Sequence, residues 1–239
     1  MKIAIIGGGK MGSAIANAIG ECVVIEINDD FSDLTADMII FAVKPQVFNN
    51  VLPNYRGKGK LYISIAAGIT IAKMKALLGE DAHIIRTMPN LAASIGKGTT
   101  AICRDNLTTD SEFAEAMRIF DKLGETAEVD EGDMDTVVSL SGSSPAYGFM
   151  LLSAMIDFGV LQGLSYETSL KLSANAIGGA MELALRSGHT PGELTDMVCS
   201  PNGTTIEAVN YFKENNFEGI IKRAMQKSKT RSEELAKLM

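Results

Sequence analysis

The 239-residue chain has no tryptophan, only 6 prolines, 3 cysteines and 2 histidines. Each scarcity excludes something. Cys22, Cys103 and Cys199 lie far apart with no C-x-x-C pair, a spacing that suits neither a zinc site nor a disulfide framework and points to a reducing cytoplasm. His83 and His189 stand without the partners of a metal set or a catalytic triad, so both read as structural and no metal is expected. Few prolines beside 46% apolar residues exclude a collagen-like or disordered chain. Basic residues number 22 against 29 acidic ones, a net charge of −7, which argues against a nucleic-acid partner. Long apolar runs are missing too. The longest, at 146–161, is interrupted by Ser153 and Asp157 and falls short of the roughly 20 residues that span a bilayer. The opening MKIAIIGGG reaches glycine too soon for a signal-peptide core and reads as a strand. A soluble cytoplasmic protein is expected.

What is present divides in two. The first part alternates strand-like and helix-like segments: Lys2–Ile6, helix Met11–Ile19, Cys22–Ile27, Met38–Val43, Leu61–Ile65 and His83–Arg86, with further strands at Ala101–Arg104 and Thr126–Val129 around a helix at Ser111–Leu123. Near-continuous apolar strands with helices between them predict a parallel sheet covered on both faces. From Asp133 onward strand signals stop. A helix opens near Pro145, with Ser143 or Ser144 as its cap, and is apolar on almost every side to Leu161. A helix of that kind must be buried all round. The next, about Tyr166–Arg186, carries Ala174, Ala176, Gly178, Gly179 and Ala180, small enough for close approach by a neighbouring helix. Together they predict a dimer core built from C-terminal helices, with a monomeric three-helix bundle as the alternative. The domains fall at 1–130 and 131–239.

Gly7-Gly8-Gly9-Lys10-Met11-Gly12 fits G-x-G-x-x-G directly after a strand and before a helix, the context in which that pattern binds a dinucleotide. Gly7 permits the turn, Gly9 lets the backbone approach a pyrophosphate, and Gly12 lets helix and strand pack; Lys10 and Met11 belong to the same loop. About twenty residues on, where an acidic side chain meets the adenosine ribose, stands Glu26, with Asn28, Asp29 and Asp30 behind it. No Lys or Arg occurs between Met11 and Phe41, so the local chemistry leans to NADH. The stretch from Asp30 to Met38 is too short for the helix and third strand of a full mononucleotide fold, which predicts a sheet trimmed on its adenosine side.

Six stretches carry a resemblance over nearly the whole chain: IGGGKMGSAIA (6–16), FAVKPQ (41–46), SIAAGIT (64–70), IIRTMPN (84–90), SGSSPAYGFM (141–150) and HTPGELTDMVCSPNGTTIEAV (189–209). The chain resembles the pyrroline-5-carboxylate reductases, which reduce a cyclic imine to proline. The resemblance implies an α/β Rossmann-type N-terminal domain and an all-α C-terminal dimerisation domain, a homodimer or an assembly of dimers, and NADPH or NADH as cofactor. It puts the nicotinamide near Ala42, Val43, Lys44 and Pro45, near Ala66, Ala67 and Gly68, and near Pro89 and Asn90. Substrate falls at the dimer interface against the loop 200–205. Three features depart from the family pattern. Asn202 stands where glycine is usual, although asparagine tolerates left-handed backbone angles. Leu91-Ala92 replaces Thr-Pro, and the arginine that often serves NADPH is missing.

Hydride transfer to an imine bound in protonated form is chiefly a problem of positioning. The loop Ser200–Thr205 offers the N–H groups of Gly203 and Thr204 for a carboxylate, and by the resemblance the Thr205 hydroxyl for the ring nitrogen. Ser143 and Ser144 serve either substrate or the helix cap. A lysine such as Lys44 at a sheet edge is ordinarily solvated rather than a general acid. One rival is a two-domain β-hydroxyacid dehydrogenase, whose chemistry commonly uses a lysine that 145–161 lacks. The other, a nucleotide-sensing module without catalysis, leaves C-S-P-N-G-T-T unexplained.

Overall fold

The computed structural model describes residues 1–26 and 29–238. Its elements in chain order are β1 (Ile3–Ile6), α1 (Lys10–Ile19), β2 (Val23–Ile25), β3 (Ala36–Phe41), α2 (Phe48–Val51), β4 (Gly59–Ser64), α3 (Ile71–Leu78), β5 (His83–Met88), β6 (Gly98–Arg104), α4 (Asp110–Phe120), β7 (Gly124–Glu128), α5 (Met134–Val137), α6 (Ser144–Leu161), α7 (Tyr166–Arg186), α8 (Pro191–Val198), α9 (Thr204–Glu214) and α10 (Phe217–Leu238).

The strands form one sheet in the order β2-β1-β3-β4-β5-β6-β7. Registers Ile6↔Phe41, Phe41↔Ser64 and Ser64↔Arg86 align the carboxyl ends of β1, β3, β4 and β5 along one edge. Both faces are covered, as near-continuous apolar strands require. Phe41, Phe48, Leu52, Tyr55 and Met74 fill one side, and Ile15, Phe113, Ile119 and Phe120 the other. Full burial of each such side chain stabilises by about 1.5–3 kcal/mol. The expectation of a wholly parallel sheet fails at one pair: β5 and β6 are antiparallel. The link 89–97 holds only a 3-10 turn, Leu91–Ile95, and is shorter than the dozen or so residues of a parallel crossover.

The trimmed side is as expected. β2 is the outermost strand, and among the described residues no helix or strand separates it from β3. The crossing is pinned instead by side chains: Phe31 stacks on Tyr55 with ring centroids 4.6 Å apart, and Lys58 Nζ donates to the carbonyls of Phe31 (3.2 Å) and Ser32 (2.7 Å). Val23 and Val24 remain exposed on this bare flank.

The chain forms two compact units, Met1–Pro145 with Met225–Met239, and Ala146–Ala224. The sheet unit thus runs beyond residue 130, for a physical reason. Met134 and Val137 complete one face of its core, and Glu131 Oε1 accepts the Ile71 N–H at 2.6 Å. The last turns of α10 join the same unit through Ser232 Oγ, which donates to Asp135 Oδ1 at 2.6 Å, and Ser228 Oγ, 3.1 Å from Ser143 Oγ.

Neither Ser143 nor Ser144 caps a helix. A π turn, Val138–Gly142, joins α5 to α6 without a break, so there is no free helix N-terminus for them to serve. The helical run Glu131–Leu161 is 31 residues long and, by length and composition alone, could cross a membrane. It exceeds the apolar stretch 146–161 because the helical turns of 131–142 lead directly into α6.

In the helical unit, α6 and α7 meet where a Cβ on Gly159 would lie 2.9 Å from Ser169 Cβ. Gly178 and Gly179, the small residues expected at a helix contact, face open space in the single chain, because they lie far along α7 from the hairpin that brings the helices together. Apolar side chains are left bare: Met150 is 74% exposed, Phe158 65% and Leu161 79%. A groove of about 950 Å³, lined by Tyr147, Leu151, Phe158, Leu172, Phe212 and Ile221 among others, runs along them.

Candidate active site

The strand order changes direction between β1 and β3: the chain moves from β1 outward to β2, then returns to the other side. In open α/β sheets ligands bind outside the carboxyl ends at such a switch point. Here the glycine loop packs directly against the end of β3. Gly7 has φ +101°, and a Cβ there would lie 2.9 Å from Val43 Cγ1 and 3.0 Å from the Ala42 carbonyl oxygen. A Cβ on Gly12 would collide with the Gly7 carbonyl oxygen, whereas nothing lies within 4 Å of one on Gly9. The three glycines therefore do different things, and Gly9 borders open space. α1 begins at Lys10 with Gly9 as its N-cap and no side-chain cap, which leaves first-turn N–H groups available to an anion. Met11 is half-buried beside them and Lys10 exposed.

Glu26, just past β2, turns back to this loop. Its Oε1 accepts the Gly8 N–H at 3.0 Å, while its own N–H donates to Asp29 Oδ2 at 2.8 Å. The carboxylate is thereby fixed beside the glycines. Asn28 lies outside the described residues.

Along the same edge, Ala42 donates its N–H to the Ile6 carbonyl at 2.8 Å, Val43 is buried, Lys44 is exposed and Pro45 opens a 3-10 turn. After β4, Ala66 donates to Ser64 Oγ at 3.1 Å. Ala67 is half-buried, and Gly68 is buried with φ +76°. After β5, Pro89 is buried and Asn90 half-buried. The register brings the loops after β1, β3, β4 and β5 together on one edge.

Two hydroxyls that sequence reasoning passed over shape it. Thr87 Oγ1 donates to the Ser64 carbonyl at 3.0 Å, and both side chains are fully buried. Their signal was available: a serine at the end of β4 and a threonine next to the end of β5. Ser13 Oγ, donating to the Gly8 carbonyl at 2.8 Å, also escaped notice.

In the helical unit, α8 opens with a Thr190–Glu193 capping box and ends at Cys199. The loop to α9 then turns at Asn202, whose φ is +57°. That is the left-handed region that asparagine tolerates best among residues with a side chain. Gly203 follows as the N-cap of α9, again without a side-chain cap. Its own N–H is spent on the Ser200 carbonyl at 3.0 Å, so the free donors begin at Thr204 rather than at Gly203. Thr204 and Ser200 are exposed and Thr205 half-buried. The sheet unit holds Ser143, half-buried against Ser228.

His83 Nδ1 lies 2.9 Å from Glu112 Oε2, remote from both loops in the chain and at the opposite end of its strand from Met88. Among the described residues no group of three or more His, Cys, Asp and Glu side chains could hold a metal ion.

Comparison with known proteins decides the family. The family model for pyrroline-5-carboxylate reductase dimerisation matches residues 131–235. The pyrroline-5-carboxylate reductase of Escherichia coli (strain K12) is 42% identical over 205 residues, covering 84% of this chain and 76% of that protein. That of Methanosarcina acetivorans is 35% identical, covering 99% and 98%. The chain belongs to the pyrroline-5-carboxylate reductase family.

The Methanosarcina alignment runs over 265 positions, more than this chain has residues, although both proteins are covered almost end to end. The shortening is therefore internal. Among solved structures, the Plasmodium falciparum pyrroline carboxylate reductase with NADP bound superposes with a TM-score of 0.90 at 28% identity, covering 99% of this chain and 98% of that one. The Streptococcus pyogenes 1-pyrroline-5-carboxylate reductase also gives 0.90 at 28%, covering 98% of each. An archaeal ketol-acid reductoisomerase at 16% identity and a TM-score of 0.56 shares the fold alone.

Proposed function

We propose that this chain reduces Δ1-pyrroline-5-carboxylate to proline with a reduced nicotinamide dinucleotide, working in the cytoplasm as a homodimer or as an assembly of such dimers. The observation that carries this is the start of α9. The turn at Asn202 and the N-cap Gly203 leave the first-turn N–H groups and the Thr204 and Thr205 hydroxyls without a capping duty. A helix N-terminus with unspent donors suits a substrate carboxylate. The half-buried Thr205 hydroxyl can both donate and accept, as a ring nitrogen that changes protonation requires.

The carboxyl edge of the sheet fits a dinucleotide. Open space at Gly9 and the uncapped start of α1 receive a pyrophosphate. Ala42–Pro45, Ala66–Gly68 and Pro89 supply the wall for the nicotinamide. When bound, the reduced nicotinamide supplies the hydride; the chain's part is to orient it and exclude water. Glu26, held by the Gly8 N–H, keeps one carboxylate oxygen for a ribose hydroxyl and repels a 2′-phosphate, so we assign NADH as the preferred cofactor.

Dimerisation covers Met150, Phe158 and Leu161, which removes any need for a bilayer around the long helical run. The deciding experiment is oxidation of NADH and of NADPH by Δ1-pyrroline-5-carboxylate, beside β-hydroxyacids with NAD. Turnover of the imine supports the reading. No turnover with cofactor binding retained overturns it and leaves a nucleotide sensor. Hydroxyacid oxidation overturns it in favour of the dehydrogenase rival.

A further inference from the structure

Pro145 lies inside a continuous helical run, three residues after the π turn Val138–Gly142. Proline has no N–H, so the carbonyl four residues earlier, that of Ser141, loses its ordinary helical donor. Asn90 replaces it: its Nδ2 donates to the Ser141 carbonyl at 3.2 Å, and Ser144 Oγ donates more distantly at 3.4 Å. The other end of the same amide is also committed. Asn90 Oδ1 accepts the N–H groups of Ala92 (3.2 Å) and Thr99 (3.4 Å). Two N–H donors on one side and a carbonyl on the other leave only one way to orient the amide. A second contact reinforces the first: Gly142 comes so near Met88 that a Cβ there would lie 2.6 Å from Met88 Cε. The end of β5 is thus joined to the π turn at two points within one unit. Insertion of a side-chain donor into the helical ladder, together with a π turn, is a common feature of functional sites.

We propose that Asn90 is a positioning residue, whose side chain holds the start of α6 to the end of β5 by serving the carbonyl that Pro145 deprives of its donor. On this account its amide is occupied by the protein, and any contact with the nicotinamide in this segment falls to backbone atoms and Pro89. The chain passes from the sheet unit into the helical unit at the first turn of α6, so the amide acts on the reaction through that turn without touching it. The kinetic part of this proposal rests on the imine-reductase reading, and the structural part does not.

The test is a double-mutant cycle with Asn90→Asp and Pro145→Ala. The aspartate keeps the acceptor for Ala92 and Thr99, and in place of the donor to Ser141 it sets a charged oxygen against that carbonyl. The alanine returns an N–H to the helix. Three quantities are read: amide hydrogen exchange over residues 146–149, kcat, and the Kd for NADH. Asn90→Asp is expected to raise exchange and lower kcat, each by about tenfold, the scale of one unmade buried hydrogen bond, with the Kd for NADH within about twofold. In the Pro145→Ala background the same change is expected to cost less than about threefold, because the restored backbone N–H now serves Ser141. Additive effects overturn the link through Ser141. A weakened Kd with unchanged kcat overturns the positioning role and makes Asn90 a cofactor contact. If the wild-type protein turns over no imine, the functional reading falls by itself, and non-additivity in hydrogen exchange alone decides whether the latch exists.

Discussion

Neutralising Glu26 tests the side chain on which the proposed NADH preference rests. Its carboxylate accepts the Gly8 N–H at 3.0 Å, and its backbone N–H donates to Asp29 Oδ2 at 2.8 Å, so the carboxylate cannot swing away without breaking its bond to the glycine loop. No Lys or Arg lies between Met11 and Phe41 to offset it, and the nearby Lys58 ammonium is committed to two carbonyls. A 2′-phosphate carries roughly −1.5 charges at neutral pH. At about 5 Å and an effective dielectric of about 40, its repulsion by one carboxylate is about 2.5 kcal/mol, close to 70-fold in an equilibrium or rate ratio. Glu26→Gln removes the charge and keeps both the length and an acceptor for Gly8. The ratio of kcat/KM for NADH to that for NADPH is therefore expected to fall by about 50-fold, chiefly through improved use of NADPH. Salt provides an internal check, since raising ionic strength screens the repulsion in the wild type and leaves the variant's ratio nearly flat. Binding of 2′,5′-ADP against ADP reads the same discrimination without turnover. A ratio that moves less than threefold, or the same salt dependence in both proteins, would refute the assignment of NADH preference to this side chain.

Three further perturbations probe other parts of the molecule. Thr205→Ala is expected to lower kcat by about 10- to 100-fold, the range of a lost hydrogen bond to a reacting group, with the Kd for NADH nearly unchanged; an unaltered rate removes Thr205 from the mechanism. Phe158→Glu puts a charge where the single chain leaves an aromatic ring 65% exposed, so it spares the fold and is expected to give monomers in sedimentation velocity at micromolar concentration. A persistent dimer would show that the interface lies elsewhere. Asp105 is pushed up by burial, but Lys75 Nζ at 2.7 Å, the Thr108 hydroxyl and the N–H groups of Ile84 and Thr108 outweigh this and hold its carboxyl below the usual value. A depressed folded-state pKa contributes stability above the unfolded value of about 3.9, lost as pH falls through the folded value. Lys75→Met is expected to cost about 3 kcal/mol at neutral pH and to move acid unfolding to higher pH, as followed by circular dichroism.

Much of this architecture could be read from local pattern, because the forces that build it are local. Apolar runs bounded by glycine located the strands to within a few residues, and the spacing from Gly7 to Glu26 marked a carboxylate that the structure ties to the glycine loop. Direction and partnership were hidden for equally physical reasons. An apolar run looks the same whichever way it pairs, so the pattern that predicts a parallel sheet leaves the direction of β6, antiparallel to β5, unmarked. Pro145 carries the same φ at a first helical turn as inside a helix after a π turn, so only the path of the preceding residues excludes a cap at Ser143 or Ser144. Asn90 and Ser141 stand 51 positions apart, and no periodicity links them.

The shortening of the chain is different, being legible in the sequence and informative in the structure. The stretch too short for a full mononucleotide fold lies beyond β2, where the crossing to β3 is pinned by Phe31, Tyr55 and Lys58. Along the carboxyl edge, Ser64 and Thr87 are buried near the ends of β4 and β5, and Gly7 and Gly68 give the loops after β1 and β4 positive φ. A short crossing at that place leaves Val23 and Val24 bare but does not reach the loops of the proposed nicotinamide edge. On the proposed reading its consequence is confined to the adenosine end. With no outer strand or helix there among the described residues, recognition of the proposed cofactor would rest more heavily on Glu26 and the glycine loop to which it is tied.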